Sequence, residues 1–307
     1  MIRALLLMLL ALVAGAAPAL AARGPVRGSF VELPKLASKN LPEPAHVTIW
    51  LPPGYARGKA RYPVIYMHDG QNLFFPKLSG YNKVWAADQA MLKLMAEGES
   101  KGAIIVGIWH QRARAAQYFP ADIYAALPEA LRREADGFAG RPIYSEGYLR
   151  FLVEELKPLI DKRYRTLKDA PHTIVAGSSM GGLISLAAIA RYPQVFGAAA
   201  CVSTHWPLVA PDRAGQDAPG LRALWDDFLT QRLGPPAGRR IWFDHGDQTL
   251  DALYGPWQTA ADARLIAIGW RPGEDFETKV YPGTAHEENA WAARLPEIFG
   301  WLLKEAP

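Results

Sequence analysis

Short apolar runs alternate with stretches of helical spacing along most of the chain. The apolar runs predict buried strands at 46–51, 62–68, 103–108, 173–176, 197–202, 240–243 and 276–281. Helices are predicted at 85–95, 148–164, 183–190, 221–232, 256–268 and 287–304. Strands that are apolar on both faces, alternating with helices, indicate a parallel sheet covered on both sides. We therefore predict one α/β domain over residues 23–307, with a mostly parallel central sheet.

Two stretches do not follow this pattern. Residues 24–44 are rich in Gly, Pro and Lys, and we expect them to wrap the surface. Residues 109–144 combine arginines and prolines with short helical pieces. A long irregular segment inside a compact domain is usually functional or mobile. We predict that 109–144 forms a lid or pocket wall and not a second domain.

The stretch after the fourth predicted strand carries the main chemical signal. Four strand-forming residues lead into Gly177-Ser178-Ser179-Met180-Gly181, and a helix-forming run follows. A strand, a sharp Gly-x-Ser-x-Gly turn and a helix make up a nucleophile elbow, which exposes its serine above the sheet. The glycines leave room for strand and helix to approach each other. Ser179 is the candidate nucleophile; the alternative is an inert serine in a glycine-rich turn.

A serine nucleophile requires a base, usually a histidine that is oriented by a carboxylate. In folds with such an elbow the chain order is serine, acid, histidine. His286 alone follows the last predicted strand and precedes the terminal helix, so it is the candidate base. His205 and His245 also follow Ser179, and we interpret them as pocket or surface residues.

Three aspartates follow the next-to-last strand and compete for the role of the acid. Asp244 closes the strand, where we expect it to brace the turn at His245-Gly246. Asp247 lies one residue past that turn and has little reach toward a neighbouring loop. Asp251 is far enough along the chain to fold back above the sheet. We predict Asp251 as the acid, with Asp247 as the alternative.

Two backbone N–H groups are needed to stabilise the oxyanion of an acyl-transfer reaction. The residue after the nucleophile, Met180, supplies one candidate. The loop after the second predicted strand supplies the other, at Gln71, where Gly70 lets the backbone approach the substrate. We expect His68 and Asp69 to be a structural pair that braces this loop.

Four aromatic residues near the expected mouth of the site either line a pocket or belong to the core: Trp109, Tyr118, Phe119 and Trp206.

Composition excludes several other classes of function. Half of the 307 residues are hydrophobic, the formal charge is only +4, and no basic tract indicates a nucleic-acid partner. The single cysteine, Cys201, lies in an apolar run and is predicted to be a buried structural thiol. Metal-ligand spacings and a P-loop Gly-Lys-Ser/Thr ending are absent from the sequence, so we expect no metal and no cofactor.

Taken together, these motifs resemble the putative esterase family of α/β-hydrolases, which includes esterase D, enterochelin esterase-like proteins and feruloyl esterase domains. The resemblance extends over nearly all of residues 23–307. It is carried by four segments: 66–74 (YMHDGQNLF), 151–158 (FLVEELKP), 177–182 (GSSMGG) and 283–291 (GTAHEENAW).

The resemblance implies an α/β-hydrolase fold and a serine carboxylic-ester hydrolase that uses a Ser-Asp-His triad, an acyl-enzyme and no cofactor. The implied substrate is a small-molecule or carbohydrate ester. The acid loop departs from the commonest family spacing but is similar to a Gly-x-x-Thr-Leu-Asp variant, which also favours Asp251. An acyltransferase using the same triad is the alternative. A non-catalytic carbohydrate- or siderophore-binding module is disfavoured by the retained serine, histidine and acid.

The first 22 residues predict a cleaved secretory signal and hence a periplasmic or secreted enzyme. Arg3 provides a positive start, an apolar run follows at 4–17, and Ala19-Leu20-Ala21 matches a cleavage site. The apolar run is shorter than the roughly 20 residues that span a bilayer. We expect no membrane span after cleavage, which should follow Ala21 or Ala22. N-terminal sequencing of protein from its native host tests this, and an abundant form that retains Met1 would contradict it.

Overall fold

The computed structural model describes residues 27–208 and 219–304, so the predicted signal segment lies outside the described residues. Within these ranges eight strands form one sheet: β1 (Ser29–Leu36), β2 (Ala45–Leu51), β3 (Val64–His68), β4 (Ile104–Ile108), β5 (Thr173–Ser178), β6 (Ala198–Val202), β7 (Arg240–Gly246) and β8 (Phe276–Tyr281). Their order across the sheet is β1-β2-β4-β3-β5-β6-β7-β8. Strands β3 to β8 are parallel, whereas β1 pairs antiparallel with β2, and β2 antiparallel with β4. The predicted mostly parallel sheet is confirmed.

Ten α-helices are described: α1 (Ala87–Glu97), α2 (Arg114–Tyr118), α3 (Ala121–Ala126), α4 (Glu129–Ala139), α5 (Ser145–Arg150), α6 (Lys157–Arg163), α7 (Met180–Arg191), α8 (Pro219–Asp227), α9 (Gly255–Ala267) and α10 (Glu288–Leu302). A π-helical segment, Phe151–Leu156, joins α5 to α6, and another, Phe228–Leu233, continues α8. None of the described helices is long and apolar enough to cross a membrane.

The helices cover both faces of the sheet, which explains why its strands are apolar throughout. Along β3, Val64 and Tyr66 belong to one hydrophobic cluster, whereas Ile65 and Met67 belong to the other. Apolar side chains of α6, α7 and α9 pack in the first cluster, and those of α1 and α10 pack in the second. Because successive side chains of a strand point to opposite faces, each central strand contributes to two cores.

Strand β1 was not predicted, because residues 24–44 were expected to wrap the surface. Instead, 29–36 pairs with β2 at the edge of the sheet, with Val31 opposite Ile49. Most of its side chains are exposed or half-buried, and it contains Glu32, Pro34 and Lys35. Charged residues and proline are common on edge strands, and they hide the apolar pattern from the sequence.

Strand β7 continues three residues beyond its predicted end at 243. Asp244 and His245 are polar, yet both are buried within the strand. Hydrophobic patterning fails at such positions, because buried polar groups are stabilised by specific partners that the pattern does not reveal.

The prediction that Cys201 on β6 is a buried structural thiol is confirmed by its complete burial, which raises the pKa of the thiol.

Segment 109–144 contains three short helices, α2 to α4. Prolines precede two of them, Pro120 before α3 and Pro128 before α4. Ile123 and Leu127 are buried in the same hydrophobic cluster as α6 and α7. The segment is therefore packed against the main core along part of its length.

Candidate active site

Ser179 lies in a strained turn between β5 and α7. Its backbone has φ 58° and ψ −122°, a conformation that non-glycine residues rarely adopt and that costs about 1–3 kcal/mol. Its N–H donates a 2.9 Å hydrogen bond to the Val202 carbonyl of β6. A Cβ at Gly177 would lie only 2.9 Å from the Gly181 backbone and from the His68 ring. The turn therefore requires glycine at 177, as a nucleophile elbow does.

A cavity of about 460 Å³ lies beside this turn. Ser179 and His286 both line it, together with side chains from several separate loops and helices, among them Asn72, Arg114, Phe138, His205, Leu250 and Glu288. Aromatic side chains and many polar groups share its lining, so a bound molecule would meet both apolar surface and hydrogen-bonding partners.

The predicted base contacts one of the predicted acids. His286 Nδ1 lies 2.6 Å from Asp251 Oδ1, and the Asp251 side chain is completely buried. An ionised carboxylate only accepts hydrogen bonds, so Nδ1 is the donor. In a neutral imidazole the other nitrogen, Nε2, then carries the lone pair and is available as a base.

The second oxygen of Asp251 is held by two further donors. Oδ2 accepts hydrogen bonds from the Gly246 backbone N–H at 2.6 Å and from the Ser203 hydroxyl at 2.7 Å. Burial raises the pKa of Asp251, but the bonds from His286, Gly246 and Ser203 lower it further than burial raises it. The carboxylate therefore stays ionised at neutral pH and presents Oδ1 to the histidine.

The direction of the Ser203 bond follows from counting donors. Ser203 Oγ accepts from Trp291 Nε1 at 2.9 Å and from Arg294 Nη2 at 2.8 Å, and neither of these groups can be an acceptor. Both lone pairs of the hydroxyl are thereby occupied, so its single proton points to Asp251. Ser203 itself is buried and has a left-handed backbone, φ 42°.

Arg294 connects this chain of bonds to Asp244, which corrects our expectation for that residue. Asp244 was expected to brace the turn at 245–246. It instead forms a buried 2.7 Å ion pair with Arg294 and accepts a 2.7 Å bond from Trp242 Nε1. Burial raises the pKa of Asp244, although Arg294 and Trp242 oppose the rise. The aspartate therefore fixes α10 to β7.

Asp247, the alternative acid, lies elsewhere. Its side chain is exposed and accepts a 2.7 Å bond from the Gly283 N–H and a 2.9 Å bond from Gln248. These bonds lower its pKa. The structure thus brings Asp251, and not Asp247, against the ring of His286.

The two predicted oxyanion donors belong to different elements. Met180 is the first residue of α7 and lines the cavity. Within the described part of the chain, the N–H groups of Met180 and Gln71 donate no hydrogen bond. A Cβ at Gly70 would lie 2.5 Å from the backbone of β4, so only glycine allows this close approach. Gln71 lies in the short helical turn Gly70–Asn72 after β3 and, unlike Met180, is not among the described residues that line the cavity.

His68 and Asp69 brace the Gln71 loop, but through separate partners and not as a pair. His68 Nδ1 lies 2.7 Å from the Tyr148 hydroxyl, and burial lowers the pKa of His68 to about 3, so the ring is neutral. Asp69 accepts two bonds from Arg114, at 2.8 and 2.7 Å. Arg114 also donates to the Ser178 carbonyl at 3.2 Å. Helix α2 thus connects the Gln71 loop to the elbow.

A second histidine flanks Ser179. The His205 N–H donates to the Ser179 carbonyl at 3.3 Å, and its Nδ1 lies 2.8 Å from the Tyr254 hydroxyl. The Tyr254 ring lies 5.7 Å from the His286 ring, centre to centre. Burial raises the pKa of Tyr254 well above its ordinary value, so the hydroxyl keeps its proton.

Sequence reasoning missed several residues around the site. Tyr254 follows Asp251 by three residues, and its N–H donates to the Asp251 carbonyl at 3.0 Å. This short spacing in the chain was a signal that Tyr254 lies near the acid. The contacts of Arg294 and Trp291 with Ser203 had no sequence signal, because these residues are about ninety positions apart.

The aromatic side chains at the site differ from those considered in the sequence. Tyr118, Phe119 and Trp206 are buried in the core. Trp109 stacks on His46 at 3.9 Å and donates to Thr48. The pocket interpretation of these four residues is therefore wrong. Among the described residues, the cavity is lined instead by the aromatic side chains of Tyr81, Trp85, Phe138 and Trp291.

Comparisons with known proteins agree with this architecture. The family described as "Putative esterase" matches residues 38–302. Ferri-bacillibactin esterase BesA of Bacillus subtilis (strain 168) is 28% identical over 187 residues, which cover 57% of this chain and 59% of BesA. For three curated relatives from that organism the matched part is 56%, 60% and 59% of their length.

Solved structures show the same fold at low identity. A ferulic acid esterase has a TM-score of 0.61 and 20% identity, and the match covers 91% of this chain and 98% of that one. The enterobactin esterase FES from Shigella flexneri has a TM-score of 0.61 and 18% identity, with 90% and 59% covered. The fold is therefore that of known esterases, and the match over residues 38–302 shows that the chain belongs to the putative esterase family.

Proposed function

We propose that this protein is a serine hydrolase of carboxylic esters, with Ser179 as nucleophile, His286 as base and Asp251 as acid. One observation carries the proposal. A histidine oriented by a buried, ionised carboxylate shares a cavity with a serine in a strained elbow. Membership of the putative esterase family supports an ester as the substrate.

The first half of the reaction forms an acyl-enzyme. His286 Nε2 removes the proton from Ser179 Oγ as Oγ attacks the ester carbonyl carbon, and the carbonyl oxygen becomes an oxyanion. The N–H groups of Met180 and Gln71 stabilise that oxyanion. Asp251 stabilises the imidazolium that forms, because it accepts from Nδ1 throughout.

Collapse of this intermediate breaks the bond between the carbonyl carbon and the alcohol oxygen. His286 donates its proton to that oxygen, and the alcohol leaves. Water then attacks the acyl-enzyme while His286 removes one of its protons, and the second intermediate expels Ser179 Oγ, which recovers the proton. The products are a carboxylic acid and an alcohol, and the enzyme is unchanged.

The segment 109–144 serves as a wall of the substrate pocket in this proposal. His110, Arg114 and Phe138 line the cavity from that segment. Arg114 is held by Asp69, which raises the pKa of its guanidinium against the effect of burial.

We also propose a periplasmic or secreted location, for which the pattern of residues 1–22 is the support.

Replacing the nucleophile or the base should nearly abolish activity. We expect Ser179→Ala and His286→Ala each to lower kcat on p-nitrophenyl acetate by at least about 10³-fold, because each removes a partner in the same proton transfer. The double variant should be little worse than either single one. Multiplying losses would mean that the two side chains do not share a step.

Replacing the acid should separate Asp251 from Asp247. We expect Asp251→Asn to lower kcat by roughly 10⁴-fold, because an amide cannot stabilise the imidazolium as a carboxylate does. Asp247→Asn is the matched control and should leave kcat near that of the wild type. Thermal unfolding of both variants checks that the fold is retained. An inactive Asp247→Asn beside an active Asp251→Asn would identify the other carboxylate as the acid.

A further inference from the structure

The cavity contains a carboxylate that the proposed mechanism does not use. Among the described residues three acidic side chains line it, and two of them have cationic partners: Asp69 with Arg114 and Glu287 with Lys83, both at 2.7 Å. Among the residues that the structure describes, no Lys or Arg lies within ion-pair distance of the third, Glu288.

Glu288 is only 6% exposed, although it is one of the residues that line the cavity. Burial raises the pKa of Glu288, and the nearby charges of Glu287 and Asp69 raise it further. Its side-chain partner is Asn72, whose Nδ2 donates a long 3.3 Å bond to Oε1. A buried carboxylate is stabilised by hydrogen-bond donors. Glu288 therefore favours a ligand that supplies hydrogen-bond donors to it.

Position at the start of α10 does not by itself account for this burial. The backbone N–H of Glu288 lowers its pKa, as expected for an acid at a helix N-terminus. A carboxylate gains that stabilisation on an exposed first turn as well, without losing its hydration. The helix N-terminus therefore does not account for the burial of Glu288 beside the cavity.

Glu288 lies close in the chain to the residue that is proposed to protonate the leaving alcohol. It follows His286 by two residues, and His286 donates the proton to the leaving alcohol in the proposed mechanism. Asn72 follows Gln71, so the Asn72–Glu288 bond connects the oxyanion loop to the histidine loop. Asn72 and Glu288 line the same cavity as Ser179 and His286.

We propose that Glu288 and Asn72 form a subsite for hydroxyl groups on the alcohol moiety, so that the preferred substrates are polyol esters. The proposal rests on the ester hydrolysis proposed above. Among the described residues Asn72 Oδ1 has no hydrogen-bond partner, so the amide is not held by further bonds on its oxygen side. An ammonium group fits less well, because Lys83 is held on the adjacent Glu287 and repels a second cation.

Two butyrate esters test the subsite. Propyl butyrate and 1-monobutyrylglycerol share the acyl group and a three-carbon alcohol, and they differ by two hydroxyls. We expect wild-type kcat/KM to be about tenfold higher for the glycerol ester, as for a hydrogen bond to a charged group. Glu288→Gln should lower kcat/KM for the glycerol ester by roughly fivefold or more and leave that for propyl butyrate within about twofold.

Glu287→Gln is the matched control, since it removes the neighbouring carboxylate, which already forms an ion pair with Lys83. It should affect both esters equally. A Glu288→Gln variant that changes both esters equally, or neither, would overturn the proposal. A wild-type ratio near one would do the same without any variant.

Ser179→Ala separates this proposal from the one on which it rests. If that variant still hydrolyses propyl butyrate, the serine mechanism fails whatever Glu288 does. If it is inactive while Glu288→Gln treats both esters alike, only the subsite fails.

Discussion

The contact between Asp251 and His286 is the interaction on which the proposed site depends. A buried carboxylate orients a histidine only while it remains ionised, and burial alone would favour its protonated form. Gly246 and Ser203 donate to Oδ2 and His286 donates to Oδ1, so the acid is surrounded by donors from separate segments of the chain. These bonds keep the pKa of Asp251 below its ordinary value. Because Nδ1 of His286 donates to Asp251, Nε2 is the nitrogen that serves as base in the proposed mechanism.

The polar core behind the acid also determines where the histidine loop lies. Arg294 on α10 donates to Ser203 after β6 and forms an ion pair with Asp244 on β7. Burying such a pair costs desolvation, which the hydrogen bonds to Trp242 and Ser203 offset in part. Because α10 follows the His286 loop directly, fixing α10 to the sheet restricts the positions that the histidine can take. The hydrogen-bonded network of Ser203, Arg294 and Asp244 therefore both packs α10 on the sheet and supports the proposed acid, Asp251.

The sequence was sufficient for features that depend on local pattern and chain order. The family, the mostly parallel sheet and the helices on both faces are confirmed. Ser179, Asp251 and His286 were predicted from the strands that they follow in the chain. The structure brings Asp251 against His286. The catalytic roles of the three residues are proposals. Strand β1 was missed because an edge strand carries charges and proline. The network of Ser203, Arg294 and Asp244 was missed, and Tyr118 and Trp206 were not assigned to the core, because these contacts depend on tertiary packing.

Labelling with a fluorophosphonate reports directly on whether Ser179 is an activated nucleophile. In an activated serine hydrolase the serine oxygen attacks phosphorus and fluoride leaves, so one adduct forms per chain. We predict a single adduct that peptide mapping places on Ser179, no adduct in Ser179→Ala, and much slower labelling in Asp251→Asn. Labelling of a different residue, or an unlabelled wild-type protein with intact fold, would contradict it.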